Sequence, residues 1–236
     1  MKNDDIWLVF GCSPFINKIK NKIPLLLKKY HSIGINCFPA YYPDCEYWLF
    51  NDAGVFTNLV KNNYNNQKLI VNKNLESELK ALWINQHRYI IQDNFVIPPY
   101  YIFETVTDKP VFEKNGKLFG SYTSALHAIN YAILENAKAV VLIGVDLSPS
   151  WDHFYDKRPV GKPKKELEVI KNHLNQFGSH IKIYKVNLKA NLDVEYIRLN
   201  TLLSENFFEK IIAKLLHLWW KMIQKLKSFM NIHKFK

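Results

Sequence analysis

The chain has 236 residues, 48% hydrophobic and 14% aromatic, enough for one sizeable core plus an appendage rather than two full domains. Eight glycines and ten prolines exclude a collagen-like or low-complexity chain, and the wealth of Ile, Leu, Phe, Tyr and Trp excludes intrinsic disorder. The net charge of +11 is carried by 29 Lys and only 3 Arg (Arg88, Arg158, Arg198), which speaks against sequence-specific DNA reading, so no nucleic-acid partner is expected.

Cys12, Cys37 and Cys45 form no CxxC pattern and have no His at zinc spacing, so no metal site is expected. An odd cysteine count without a signal peptide points to a reducing cytoplasm. No apolar run reaches the ~18–20 residues that span a bilayer.

In chain order, Asp5–Phe10 reads as a buried strand, Gly11-Cys12-Ser13-Pro14 as a turn, and Asn17–Lys29 as a helix. Strands follow at Ser32–Asn36 and Tyr47–Asn51, a helical turn at Gly54–Lys61, and a strand at Lys68–Val71. Leu75–Asn85 has apolar residues at spacings of three to four, predicting a helix. Tyr89–Ile91 is a short strand, and Pro98–Lys117 is irregular with a hairpin signal at Asn115-Gly116. Ser121–Asn136 is a helix opened by good N-cap residues. Ala139–Val145, an unbroken apolar run, reads as a strand buried on both faces of a parallel sheet. After a polar loop at Ser148–Pro163 come a helix over Lys164–Phe177, stopped by Gly178, and a last strand, Ile181–Val186. This alternation predicts an α/β fold, a Rossmann-like mostly parallel sheet covered by helices.

Ligands of such sheets bind beyond the carboxyl ends of the strands. Four features stand there. The small-residue turn Gly11-Cys12-Ser13 lets backbone approach a phosphate, although a plain tight turn explains it equally well. Asn36, and Asn51 with Asp52, can hydrogen-bond a ribose or base, although Asn and Asp also favour turns. Ser121, Thr123 and Ser124 put hydroxyls at a helix start, where ordinary capping needs only one. Gly144-Val145-Asp146 leads past Trp151 into a loop with Asp152, His153, Tyr155 and Asp156, side chains of the types used in proton transfer, although a plain solvated loop is the alternative. The remaining histidines, His127 among them, read as packed or surface residues.

These motifs resemble those of the bacterial lipooligosaccharide sialyltransferases of glycosyltransferase family 42. They are also similar to those of the 6-hydroxymethylpterin pyrophosphokinase family. Both families place a Gly-x-Gly-Pro-Ser-like turn after the first strand, here Gly11-Cys12-Ser13-Pro14-Phe15, and a Gly-hydrophobic-Asp signature after a central strand, here Gly144-Val145-Asp146. Asn36, Asn51 and the Thr123-Ser124 pair match the sialyltransferase pattern, whereas Gly144-Val145-Asp146-Leu147 followed by His153 fits the pterin-type pattern better.

The first resemblance implies a nucleotide-sugar-dependent transferase with a CMP-activated donor and a surface glycan acceptor, acting in lipopolysaccharide biosynthesis. Gly11, Cys12, Ser13, Asn36, Asn51, Asp52, Ser121, Thr123, Ser124 and Gly144 would bind nucleotide and donor, and His153, Asp146 and Tyr155 would be catalytic. The family's general base lies in a lid segment after the Gly-x-Asp motif, but residues 157–172 hold no His, so the role falls to His153, in a shifted position. No cofactor or metal is needed in that reading. The second resemblance implies instead a Mg²⁺-dependent diphosphotransferase, with Asp146 and Asp52 or Asp156 holding the ion. A membrane-bound scaffold or binding protein that kept the fold and lost the chemistry is the third option.

Residues 207–236 carry +6 of the net charge. Over Phe207–Met230, Lys and other polar residues recur at helical spacing opposite Ile, Leu, Phe, Met and Trp219. That describes an interfacial helix on anionic lipid, with docking on the sheet or self-association as alternatives. The expected organisation is a nucleotide-binding domain over 1–205 and a membrane-associating tail over 206–236, peripheral on the inner face of the membrane.

Overall fold

The computed structural model of the chain describes residues 2–75, 83–85, 89–92, 95–97, 100–147, 153–156 and 163–204. The chain divides into two compact units, Met1–Ile197 and Arg198–Lys236. The described part of the second is one short helix, Leu199–Leu203.

In the first unit, β1 (Asn3–Phe10), β2 (Tyr30–Ile35), β3 (Tyr47–Phe50), β4 (Lys68–Asn72), β8 (Tyr101–Val106), β9 (Lys117–Phe119), β10 (Ala139–Ile143), β11 (Lys182–Lys185) and β12 (Glu195–Tyr196) form one sheet. Its order is β12-β11-β10-β1-β2-β3-β4-β8-β9, and every pairing in it is parallel. The fold is therefore α/β and Rossmann-like. A separate antiparallel sheet joins β5 (Trp83–Asn85), β6 (Tyr89–Gln92) and β7 (Phe95–Ile97).

The central strands are apolar on both faces because both faces are covered. In β3, Tyr47 and Leu49 enter one core with Trp7, Val9, Ile33 and the Ser124–Leu134 helix, while Trp48 and Phe50 enter the opposite core with Val55, Phe56 and Val60. Each such large side chain, fully buried, contributes about 1.5–3 kcal/mol. The Ser124–Leu134 helix is buried almost all round, and the Lys164–Gly178 helix buries one stripe of Leu167, Ile170, His173, Leu174 and Phe177.

The structure corrects four local expectations. The first helix breaks into Phe15–Ile19, a 3-10 turn at Lys20–Lys22, and Ile23–Lys29, because Pro24 lacks the N–H an uninterrupted helix needs and sits instead in a new first turn. Trp83–Asn85 is a strand rather than the end of a helix, its residues held by antiparallel pairing with β6, while 76–82 lie outside the described residues. Asn115-Gly116 makes no hairpin: β8 and β9 pair in parallel, and the chain between them crosses over, with Gly116 at φ 75°. The helix over Lys164 runs through Gly178. The tail helix expected over 207–230 lies outside the described residues.

Candidate functional site

The strand order reverses between β1 and β10, which run parallel. From β1 the order proceeds outward through β2, β3 and β4, and from β10 through β11 and β12 in the other direction. Such a switch point leaves a crevice beyond the carboxyl ends of the strands. A cavity of about 480 Å³ opens there, within the ~300–1,000 Å³ range of small-ligand pockets.

Glycine is required where the two central turns meet. A Cβ on Gly11 would stand 2.4 Å from the Gly144 carbonyl oxygen, and one on Gly144, at φ 70°, would stand 2.7 Å from Ile16. The Gly11 N–H donates to the Ile143 carbonyl (2.8 Å), and the Ser13 N–H to the Gly144 carbonyl (2.9 Å). These two N–H groups are thus committed to the fold. Ser13 is fully buried, its Oγ accepting from the Phe15 N–H at 3.3 Å, and it does not line the cavity.

Of the residues singled out from sequence, Gly11, Cys12, Asn36, Asn51, Asp52, Ser121, Thr123, Ser124, Gly144, Asp146 and His153 all line this one cavity. Asp52 caps a short helix, its Oδ1 accepting from the Gly54 N–H at 2.6 Å. Thr123 caps the Ser124–Leu134 helix by accepting from the Ala125 N–H. Asp146 accepts from the Asn187 amide at 2.9 Å. Asn36 (φ 52°), Tyr122 (φ 56°) and Leu147 (φ 46°) are held in left-handed backbone around the cavity, a conformation uncommon for bulky residues and concentrated at functional sites.

Tyr155 lies outside the lining. Its ring stacks on His153 (centroids 4.9 Å, planes 8° apart) and on Tyr41 (5.5 Å), and burial raises its pKa. The His153–Asp156 segment is pinned by the Phe154 N–H donating to the Cys12 carbonyl (2.8 Å) and the Asn17 amide donating to the Phe154 carbonyl (2.9 Å). Trp151 and Asp152 lie outside the described residues.

Sequence reasoning passed over three residues of the cavity floor: Asn72 at the end of β4, Thr105 in β8, and His127 one helical turn after Ser124. His127 is 4% exposed, and burial, helped by nearby His173, lowers its pKa to about 4, so the ring is neutral at pH 7. The Asn51 amide donates to Ser124 Oγ (3.0 Å) and to His127 Nδ1 (3.1 Å). With Nδ1 an acceptor, the ring proton sits on Nε2 and is donated to Thr105 Oγ1 at 3.1 Å. The Asn72 amide donates to Thr105 (3.1 Å) and Asn51 (3.4 Å), and Ser124 donates to Asn36 (3.4 Å). The floor is thus a connected network of amide, hydroxyl and imidazole groups. No Lys or Arg is among its described lining residues. Among the described residues no three His, Cys, Asp or Glu side chains come together as a metal group, and no helix is long and apolar enough to cross a membrane.

The sequence matches no protein family and no curated protein. Among solved structures, it is similar to a mammalian sialyltransferase in complex with Gal-beta-1-3GalNAc-ortho-nitrophenol, and to a second structure of a mammalian sialyltransferase. Each match has 14% identity and a TM-score of 0.40 and covers 77% of this chain and 68% of the other. At that identity and score the likeness stands beside the strand order described above and adds nothing to the chemistry of the cavity.

Proposed function

We propose that the chain is a glycosyltransferase that takes a nucleotide-activated sugar, with CMP as the carrier and a surface glycan as acceptor. The observation that carries this reading is the gathering of amides, hydroxyls, two carboxylates and two imidazoles in one cavity at the switch point of a parallel sheet. Polyhydroxylated ligands are held by such hydrogen-bonding groups. Asn36, Asn51 and Asp52 would hold the nucleoside. Ser121, Thr123 and Ser124, at the start of an eleven-residue helix, would face the phosphate and the acidic sugar beside Gly11, Cys12 and Gly144.

His153 would act as general base. The acceptor oxygen forms a bond to the anomeric carbon, its proton goes to the imidazole, and the bond from that carbon to the phosphate oxygen breaks, CMP leaving with the electron pair. Tyr155 would position His153 through their stacked rings rather than touch the donor. Asp146 would orient the donor. Hydroxyls and the helix start would stabilise the leaving phosphate without a metal.

Thermal shift with CMP, UDP, GDP, and ATP with Mg²⁺ tests this. CMP at about 100 times its Kd adds about 2.7 kcal/mol to the native state and raises the melting temperature. His153→Ala keeps that shift and loses transfer. A shift with ATP and Mg²⁺ alone would favour the diphosphotransferase. A CMP shift with transfer intact in His153→Ala would remove the role given to His153.

A further inference from the structure

All three cysteines are free, and one of a neighbouring pair lines the cavity. Cys12, in the turn after β1, lines it. Cys37 follows Asn36 beyond β2, the parallel neighbour of β1. Cys12 lies two residues, and Cys37 three, beyond the paired positions Phe10 and Gly34 of these strands. Each thiol is the largest influence on the other: the interaction raises the pKa of Cys12 and lowers that of Cys37. Cys37 Sγ also lies 2.9 Å from the Tyr155 hydroxyl, and Cys12 Sγ 3.4 Å from the Ile35 carbonyl. Cys45 differs: it is fully enclosed, sits on the Ser32 and Tyr47 carbonyls, and has its pKa pushed up to about 12 by burial.

We propose that Cys12 and Cys37 are a reversible dithiol–disulfide site, oxidised by hydrogen peroxide. The inference does not depend on the reaction proposed above. Cys37, the sulfur with more thiolate character, attacks one peroxide oxygen. The O–O bond breaks, Cys37 becomes a sulfenic acid, and the displaced hydroxide takes up a proton to leave as water. The Cys12 sulfur then attacks the Cys37 sulfur. The S–S bond forms, the S–O bond breaks, and the hydroxyl leaves with the Cys12 proton as a second water. Two thiols and one hydrogen peroxide give one disulfide and two waters, the peroxide accepting two electrons. The disulfide removes the Cys37 thiol from Tyr155, the ring on which His153 stacks, and so links redox state to the cavity wall.

The test treats the reduced, desalted full chain with hydrogen peroxide and follows intact mass and peptide mapping. The expected result is loss of two hydrogen atoms' mass, a cross-linked peptide pair joining Cys12 to Cys37, and full reversal by dithiothreitol. Cys45 stays alkylatable after denaturation. In Cys12→Ser the reaction stops at a Cys37 sulfenic acid that dimedone traps. No intramolecular disulfide at peroxide concentrations that oxidise free cysteine, or a bridge that includes Cys45 or a second chain, overturns the proposal. The wild-type mapping decides the matter even if the variant fails to fold.

Discussion

His127 shows how much one buried side chain sets. Its ordinary pKa near 6.5 falls to about 4 in the folded chain, chiefly through burial. Between those values the unfolded chain binds a proton that the folded chain does not, so stability falls as pH drops through that window. The stabilisation is complete above about pH 6.5 and exhausted below about pH 4, a loss of roughly 3 kcal/mol. Glu46 acts at lower pH: its bonds to His31 and to Lys2 outweigh burial and hold its pKa below the ordinary value. Urea unfolding at a series of pH values should show the slope between pH 6.5 and 4, and His127→Asn should flatten it. An unchanged slope in the variant would assign the proton to another group. The sequence hid this residue because a lone His on an apolar helix face looks like packing. The available signal was its place three residues after Ser124, on the same face of the helix. Asn36, Asn51 and Asp146 were legible as strand-end residues, but that they share a cavity with Thr105 depends on strand order, which no local pattern encodes.

The same limit governs elements. The strands from β1 to β4 and β10 were legible because continuous apolar runs have few alternatives in a sheet covered on both faces. The segment around Asn115-Gly116 was misread because a dipeptide reports only its own turn, whereas pairing is settled by what packs above it. Here that is Asn130, fully buried on the Ser124–Leu134 helix. Its Oδ1 accepts from the Phe119 N–H (2.6 Å) and the Val111 N–H (3.2 Å), and its amide donates to the Val111 carbonyl (2.6 Å). One side chain therefore satisfies three backbone groups and anchors the crossover into β9. Asn130→Leu fits the volume but strands those groups, at about 1–3 kcal/mol for each that water cannot reach. Chemical denaturation should show a loss of about 2–5 kcal/mol, with hydrogen exchange at Phe119 accelerated beyond the global change. A loss under 1 kcal/mol would mean that the crossover holds without this anchor.

At the scale of the whole molecule the charge is the informative quantity. Of the net +11, residues 207–236 carry +6, through seven Lys and one Glu. The rest, Met1–Asn206, is left with only +5 over many more residues. Interleaved with those Lys are Trp219, Trp220 and a series of Leu, Ile and Phe residues, the composition of a segment that binds anionic lipid. Each Lys near such a surface adds on the order of 1 kcal/mol, and apolar burial adds to it. The charge term should weaken with salt, because the screening length shrinks from about 10 Å at 0.1 M to about 3 Å at 1 M. We therefore propose that this segment attaches the chain to an anionic membrane surface. Vesicles containing phosphatidylserine should sediment the full chain at low salt and release much of it at 1 M salt. The chain truncated after residue 205 should stay in the supernatant and keep both its cooperative melting and its CMP-induced shift. If it sediments as the full chain does, the lipid-binding surface lies elsewhere. If it no longer melts cooperatively, the segment belongs to the fold, and the charge it carries serves packing rather than lipid.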